Sequence, residues 1–152
     1  MSRAISLWKF TGFFVLYVVT SVILHFGIAN TIPAWLFYLF LLLPFYLLCL
    51  VYLVGISIEH WKERKTTIRY RKILLYPVVI FQILTILFSP ANCYGWKQGK
   101  ACYSFIQAIL VNVETNPPHW KIIDSMFPVA LLVYVISLGI FLGMMSIENQ
   151  QS

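Results

Sequence analysis

"FTGFFVLYVVTSVILHFGIA", Phe10 to Ala29, runs for twenty residues without a single Asp, Glu, Lys or Arg. A helix needs about 17–25 apolar residues to cross the ~30 Å hydrocarbon core of a bilayer, so this stretch predicts a transmembrane span. Its apolar core exceeds the ~7–15 residues usual for a cleaved signal, and no small-x-small cleavage site follows it. It is read as a retained helix.

Working outward, three more apolar blocks follow: Pro33 to Ile58, Ile73 to Ser89 (the shortest) and Phe127 to Ile147. The whole chain is 152 residues, 61% hydrophobic and 11% charged, against roughly 45–50% and 25% in soluble domains. The expected fold is one all-α integral membrane domain, 1–152. It is a four-transmembrane-helix bundle with spans at about 10–29, 33–58, 73–89 and 127–147. Pro44 predicts a kink in the second span, because proline removes one helical hydrogen bond.

Six of the eleven Lys and Arg residues (Lys62, Arg64, Lys65, Arg69, Arg71 and Lys72) fall in the loop 59–72. With Arg3 and Lys9 they put eight basic residues on one side of a four-span chain, against Lys97, Lys100 and Lys121 on the other. Basic loops stay cytoplasmic, so both termini and the basic loop are expected there. Loop 91–126 is then periplasmic, lumenal or extracellular. The basic cluster suits anionic lipid headgroups or an acidic partner. Without a recognised binding motif around it, nucleic acid is not an expected partner.

The external loop holds "NCYGWKQGKACYSFIQ", Asn92 to Gln107, with Cys93 and Cys102 nine positions apart. Outside the cytoplasm disulfides persist, and a Cys93–Cys102 bond is expected to staple this loop. Closing so short a loop stabilises it by roughly 2–3 kcal/mol. Cys49, inside the second span, reads as a small hydrophobe. The following "YSFIQAILVNV" places Phe105 or Ile106, Ile109, Leu110 and Val113 on one face of a short interfacial helix. Gln107 and Asn112 are expected to point elsewhere. Trp96, Tyr103 and Trp120 join Ile106, Ile109 and Leu110 as candidate partner contacts, since such aromatics serve both membrane anchoring and protein recognition.

In helix number and orientation the chain resembles the bacterial four-helix membrane proteins that generate disulfides and pass electrons to quinone. That resemblance implies thiol oxidoreductase chemistry or a quinone-linked electron carrier. It departs from those proteins at the decisive place: their first external loop carries Cys-x-x-Cys, whereas here it is "ANTI", and no Cys-x-x-Cys occurs anywhere. Claudins carry their large cysteine loop between the first two helices, and tetraspanins a Cys-Cys-Gly signature. Neither pattern is present. Zinc is disfavoured too, since a structural site needs four Cys or His ligands.

Inside the spans, His25 is the only ionisable group apart from tyrosine and cysteine side chains. With His119 in "NPPHW" it offers two imidazoles of the kind that ligate a haem axially, the alternative to a chain without cofactor; no cofactor or metal is otherwise expected. Gln82 and Thr85 share a face of the third span, with Ser89 beyond. Such a stripe lines a substrate path or bonds to a neighbouring helix, for which Thr20 and Ser21 are candidate partners. Gly139 and Gly143 form a G-x-x-x-G spacing that admits close helix contact. With one aspartate (Asp124) and no nucleophile or phosphate-cradling motif, no catalytic constellation is evident. The expected function is non-catalytic: an accessory, assembly or scaffold subunit that binds another integral membrane protein or forms a homo-oligomer. A small oligomeric transporter or channel lined by Gln82 is the alternative.

Overall fold

A computed structural model describes residues 2–29, 31–60, 66–92, 102–115 and 117–149. Cys93, Trp96, Lys62, Arg64 and Lys65 lie outside the described residues. The chain is mostly helical. Among the described residues, three helices are long and apolar enough to cross a membrane: Leu7–Ile28, Ile32–Glu59 and Lys121–Gly143. The third expected span is the helix Leu75–Phe88, preceded by a 3-10 turn at Lys72–Leu74. Its 14 residues rise only about 21 Å at 1.5 Å each, less than the ~30 Å core.

The helices are α1 (Leu7–Ile28), α2 (Ile32–Phe37), α3 (Leu43–Glu59), α4 (Leu75–Phe88), α5 (Phe105–Leu110) and α6 (Lys121–Gly143). A π-helical segment, Tyr38–Leu42, joins α2 to α3 without a break in the rod. That segment answers the expectation at Pro44. Leu43 N–H bonds back to Tyr38 O, one residue further than in an α-helix, so the turn widens before the proline ring arrives.

The hydropathy of these helices is high all round, so it does not mark their faces. Packing does. On α1 the buried residues are Leu7, Thr11, Phe14, Val18, Ser21 and His25, a four-three alternation that forms one seam as in coiled coils. The seam continues on the long second rod through Tyr38, Leu42, Tyr46, Cys49, Leu53 and Ser57. On α6 it is Phe127, Leu131, Tyr134, Leu138 and Phe141. The outward positions are apolar as well: Phe40 is 72%, Val51 71% and Ile122 76% exposed.

The all-α expectation needs correction at both ends. Strands β1 (Ser2–Ser6), β2 (Thr66–Arg71) and β5 (Ser146–Asn149) form an antiparallel sheet with β2 in the centre. Both termini and the basic segment therefore meet at one end of the molecule. The cause is legible in "TTIRYR". Thr66 and Ile68 are buried and Tyr70 half-buried, while Arg69 and Arg71 are exposed, the period-two pattern of a half-buried strand. Ile68 sits between Ile5 and Ile147 across the ladder, an apolar row of the kind that stabilises sheets. The helix at the fourth expected span, α6, has other bounds. It begins at Lys121, six residues before the expected start, and ends at Gly143, where β5 takes over the final residues. Pro128 lies within it.

At the other end, β3 (Pro90–Asn92) pairs with β4 (Tyr103–Ser104), and α5 follows directly. Thr31 ties this end together: it caps α2 by accepting from Ala34 N–H and donates to Pro90 O at 2.6 Å. Trp35 Nε1 donates to Ala29 O at 2.7 Å, closing the tight α1–α2 hairpin.

Candidate functional site

Five polar side chains from four helices converge on one hydrogen-bonded ring. Tyr17 and Ser21 come from α1, Tyr46 from α3, Gln82 from α4 and Tyr134 from α6. Tyr17 Oη donates to Gln82 Oε1 at 3.0 Å, and Gln82 Nε2 donates to Ser21 Oγ at 2.8 Å. The circuit closes through Ser21–Tyr46, Tyr46–Tyr134 and Tyr134–Tyr17, each at 2.5 Å.

Counting protons fixes the sense of this ring. A hydroxyl has one proton to give, and Tyr17 has given its own to Gln82. Tyr134 must then donate to Tyr17, Tyr46 to Tyr134, and Ser21 to Tyr46. All five bonds run the same way round. Exchanging the amide nitrogen and oxygen of Gln82 reverses the sense and leaves the ring intact. Either way the Ser21 proton is committed within the ring, so His25 Nδ1 must carry the hydrogen that reaches Ser21 O at 2.7 Å. Such one-directional chains polarise each bond by its neighbour.

His25 is fully buried. It lies edge-on to Tyr38 with centroids 5.0 Å apart, and faces Tyr134 at 6.2 Å. Its Nε2 meets no hydrogen-bond partner among the described residues. His119 is placed differently, stacked on Tyr103 at 3.9 Å with an interplanar angle of 4°. Each imidazole thus has its own aromatic neighbours. Among the described residues no group of three or more His, Cys, Asp or Glu could hold a metal ion.

Thr85 is buried but stays off the ring, its hydroxyl turned back to Phe81 O at 2.7 Å. Nearer the sheet, Thr11 and Ser57 join α1 to α3 at 2.8 Å. Gly139 meets the Phe45 ring rather than a neighbouring backbone, with Phe45 Cζ 3.9 Å from where its Cβ would stand; Gly143 faces open space. Among the described residues the G-x-x-x-G spacing therefore creates no backbone approach.

In the loop, two sequence expectations are corrected. Tyr103, taken as a contact for a partner, is fully buried and donates to Pro117 O at 2.9 Å. Gln107, expected to point away, is fully buried as well. Its amide donates to Pro118 O at 2.8 Å and accepts from Trp120 N–H at 3.2 Å. A double proline supplies carbonyls but no N–H groups, and Tyr103 and Gln107 serve those two carbonyls in turn. Ile109 and Leu110 are exposed, while Ile106 and Trp120 are half-buried. Arg69 and Arg71 lie on the exposed face of β2, with Lys72 at the turn into α4. Sequence reasoning missed Tyr17, Tyr46 and Tyr134 entirely. Their signal was position: Tyr46 and Tyr134 are polar-tipped residues on the buried seams of their helices, and Tyr17 is half-buried beside the seam of α1.

No family model matches the chain, and neither does any curated protein or solved structure.

Proposed function

We propose that this chain is a non-catalytic, four-span membrane protein acting as an accessory, assembly or scaffold subunit for another integral membrane protein or for further copies of itself. The observation that carries the reading is the closed ring. Five polar side chains from four helices satisfy one another. That locks the helices in register and engages these polar groups with one another. The outward surface is apolar, as lipid or a membrane partner requires. In the four-span arrangement α4 crosses with its preceding 3-10 turn, and the sheet lies on the cytoplasmic side by the excess of Lys and Arg. Native-detergent purification followed by mass spectrometry should show a stoichiometric partner or a defined homo-oligomer; a lone monomer would sink the proposal. The transport alternative draws on one observation, that Tyr17, Ser21 and Gln82 also border an open groove. Reconstituted flux that vanished on Gln82→Leu would move the assignment there.

The external disulfide is part of the same proposal. Its support is the sequence: Cys93 and Cys102 stand nine positions apart in one loop, on the side of the membrane where disulfides persist by the count of Lys and Arg. Lys97 and Lys100 lie between the cysteines, so trypsin separates them. Unreduced digests should keep the Cys93 and Cys102 peptides joined. Two thiols that alkylate independently without reductant would exclude the bond.

A further inference from the structure

The ring faces a cleft. Helices α1 and α4 touch sparingly, whereas α4 and α6 are closely packed. The gap between α1 and α4 holds a cavity of about 350 Å³ walled by aromatic and aliphatic side chains, among them Phe10, Phe14, Tyr70, Val79 and Phe141. That volume falls within the ~300–1,000 Å³ typical of small-molecule sites. A second groove begins where the first ends, sharing Phe13 and Tyr17 and reaching Thr20, Ser21, Leu24 and Gln82.

The lower cavity starts beside the sheet and stops at the ring. From Phe10 to Tyr17 the helix rises about 10 Å, inside the ~15 Å half-thickness of one leaflet. A helix, about 10–12 Å across with its side chains, is too broad to enter a cavity of this size. A single hydrocarbon chain fits its shape and its chemistry.

Basic residues adjoin the lining residues in the chain, at the sheet end of the cavity. Tyr70 lines the cavity on β2, and the next two residues are Arg71 and Lys72, at the turn into α4. Leu75, one turn after Lys72, also lines it. Lys9, exposed on α1, adjoins Phe10. The acidic residue of the sheet, Glu148, pairs with Thr67 at the opposite end of β2, whereas Arg71 pairs with Ser2. An apolar slot in one leaflet with cations at its headgroup end has the polarity of an anionic phospholipid.

We propose that the α1–α4 cleft binds an anionic glycerophospholipid, with one acyl chain in the aromatic cavity and the phosphate at the Arg71–Lys72 edge. This goes beyond the subunit role and depends only on the chain residing in a membrane. The test uses the full chain, delipidated in mild detergent. Phosphatidylglycerol and phosphatidylcholine with identical acyl chains are added in equal amounts, and retention is read by native mass spectrometry.

Wild type should retain phosphatidylglycerol in roughly 10- to 30-fold preference, as two basic contacts imply. Val79→Trp, at an exposed wall position, should fill the cavity and abolish retention of both lipids. Leu75→Trp should do the same from one turn away, so misfolding of either variant, visible in its elution and circular dichroism, does not leave the question open. Arg71→Gln with Lys72→Gln should equalise the two lipids. Equal retention by wild type overturns the proposal. Selective retention that both tryptophan variants leave intact also overturns it, because the lipid then sits on the basic surface alone.

Discussion

Replacing Gln82 with leucine should lower stability by about 1–4 kcal/mol, the lower value from ~0.6 kcal/mol for each membrane hydrogen bond and the upper from ~1.7, raised by loss of ring polarisation. Gln82 is the only contribution of α4 to the ring, and it serves as both acceptor for Tyr17 and donor to Ser21. Leucine fills the volume and does neither. The Tyr17 proton then has no acceptor, and an orphaned buried donor costs more than the bond was worth. For a chain of this size the thermal midpoint should fall by roughly 3–15 °C, at ~2–4 °C per kcal/mol. Tryptophan fluorescence in mild detergent reads this directly.

A ring makes a sharper demand than a set of pairs. Tyr17→Phe removes the donor to Gln82 and the acceptor for nothing else's proton but that of Tyr134. Once Gln82→Leu has opened the circuit, adding Tyr17→Phe should cost little more, because it removes the hydroxyl that the first substitution left without an acceptor. The double-mutant cycle should therefore show coupling of about 0.5–3 kcal/mol. Strict additivity, or a Gln82→Leu midpoint equal to wild type, would mean the five bonds do not act as one unit.

The same ring shows what the sequence can and cannot disclose. Apolar blocks with no charged residues are enough to locate the helices, because length and hydropathy answer to bilayer thickness alone. They cannot show which face of each helix turns inward, since lipid and core are equally apolar. The inward faces are instead marked by exceptions to the hydrophobic rule: Thr11, Ser21, His25, Tyr46, Ser57 and Tyr134 all lie on buried seams. Reading Gln82 with Ser21 draws on that logic; Tyr17, Tyr46 and Tyr134 escape it because an aromatic ring inside an apolar block counts as hydrophobic and only its hydroxyl tip is polar. The sheet was hidden for another reason. In "TTIRYR" the density of charge masked a period-two alternation, and strand pairing between positions as distant as 2 and 71 leaves no local trace. Gln107 was misplaced because a six-residue helix has too few turns for periodicity to decide its inner face.

Gln107→Leu should loosen the loop 102–120 without dissolving the helices it packs on. The substitution removes the partner of two part-buried backbone groups, Pro118 O and Trp120 N–H, each such loss costing up to about 1–3 kcal/mol. Trp120 is the residue that caps α6, so the loss falls where the loop meets that helix. Local opening draws on local contacts, and amide hydrogen exchange across Phe105–Leu110 and at Trp120 should accelerate on the order of 100-fold. Exchange in the middle of α6 should stay as in wild type. Unchanged exchange in the loop would show that Gln107 does not hold it. The comparison with Ile109→Asn and Leu110→Asn then separates folding from recognition. Those two side chains are exposed, so their loss should leave exchange untouched; if the loop is where a partner docks, it should still remove that partner from the purified complex. Gln107→Leu should weaken the same association indirectly, by disordering the surface on which Ile109 and Leu110 are displayed.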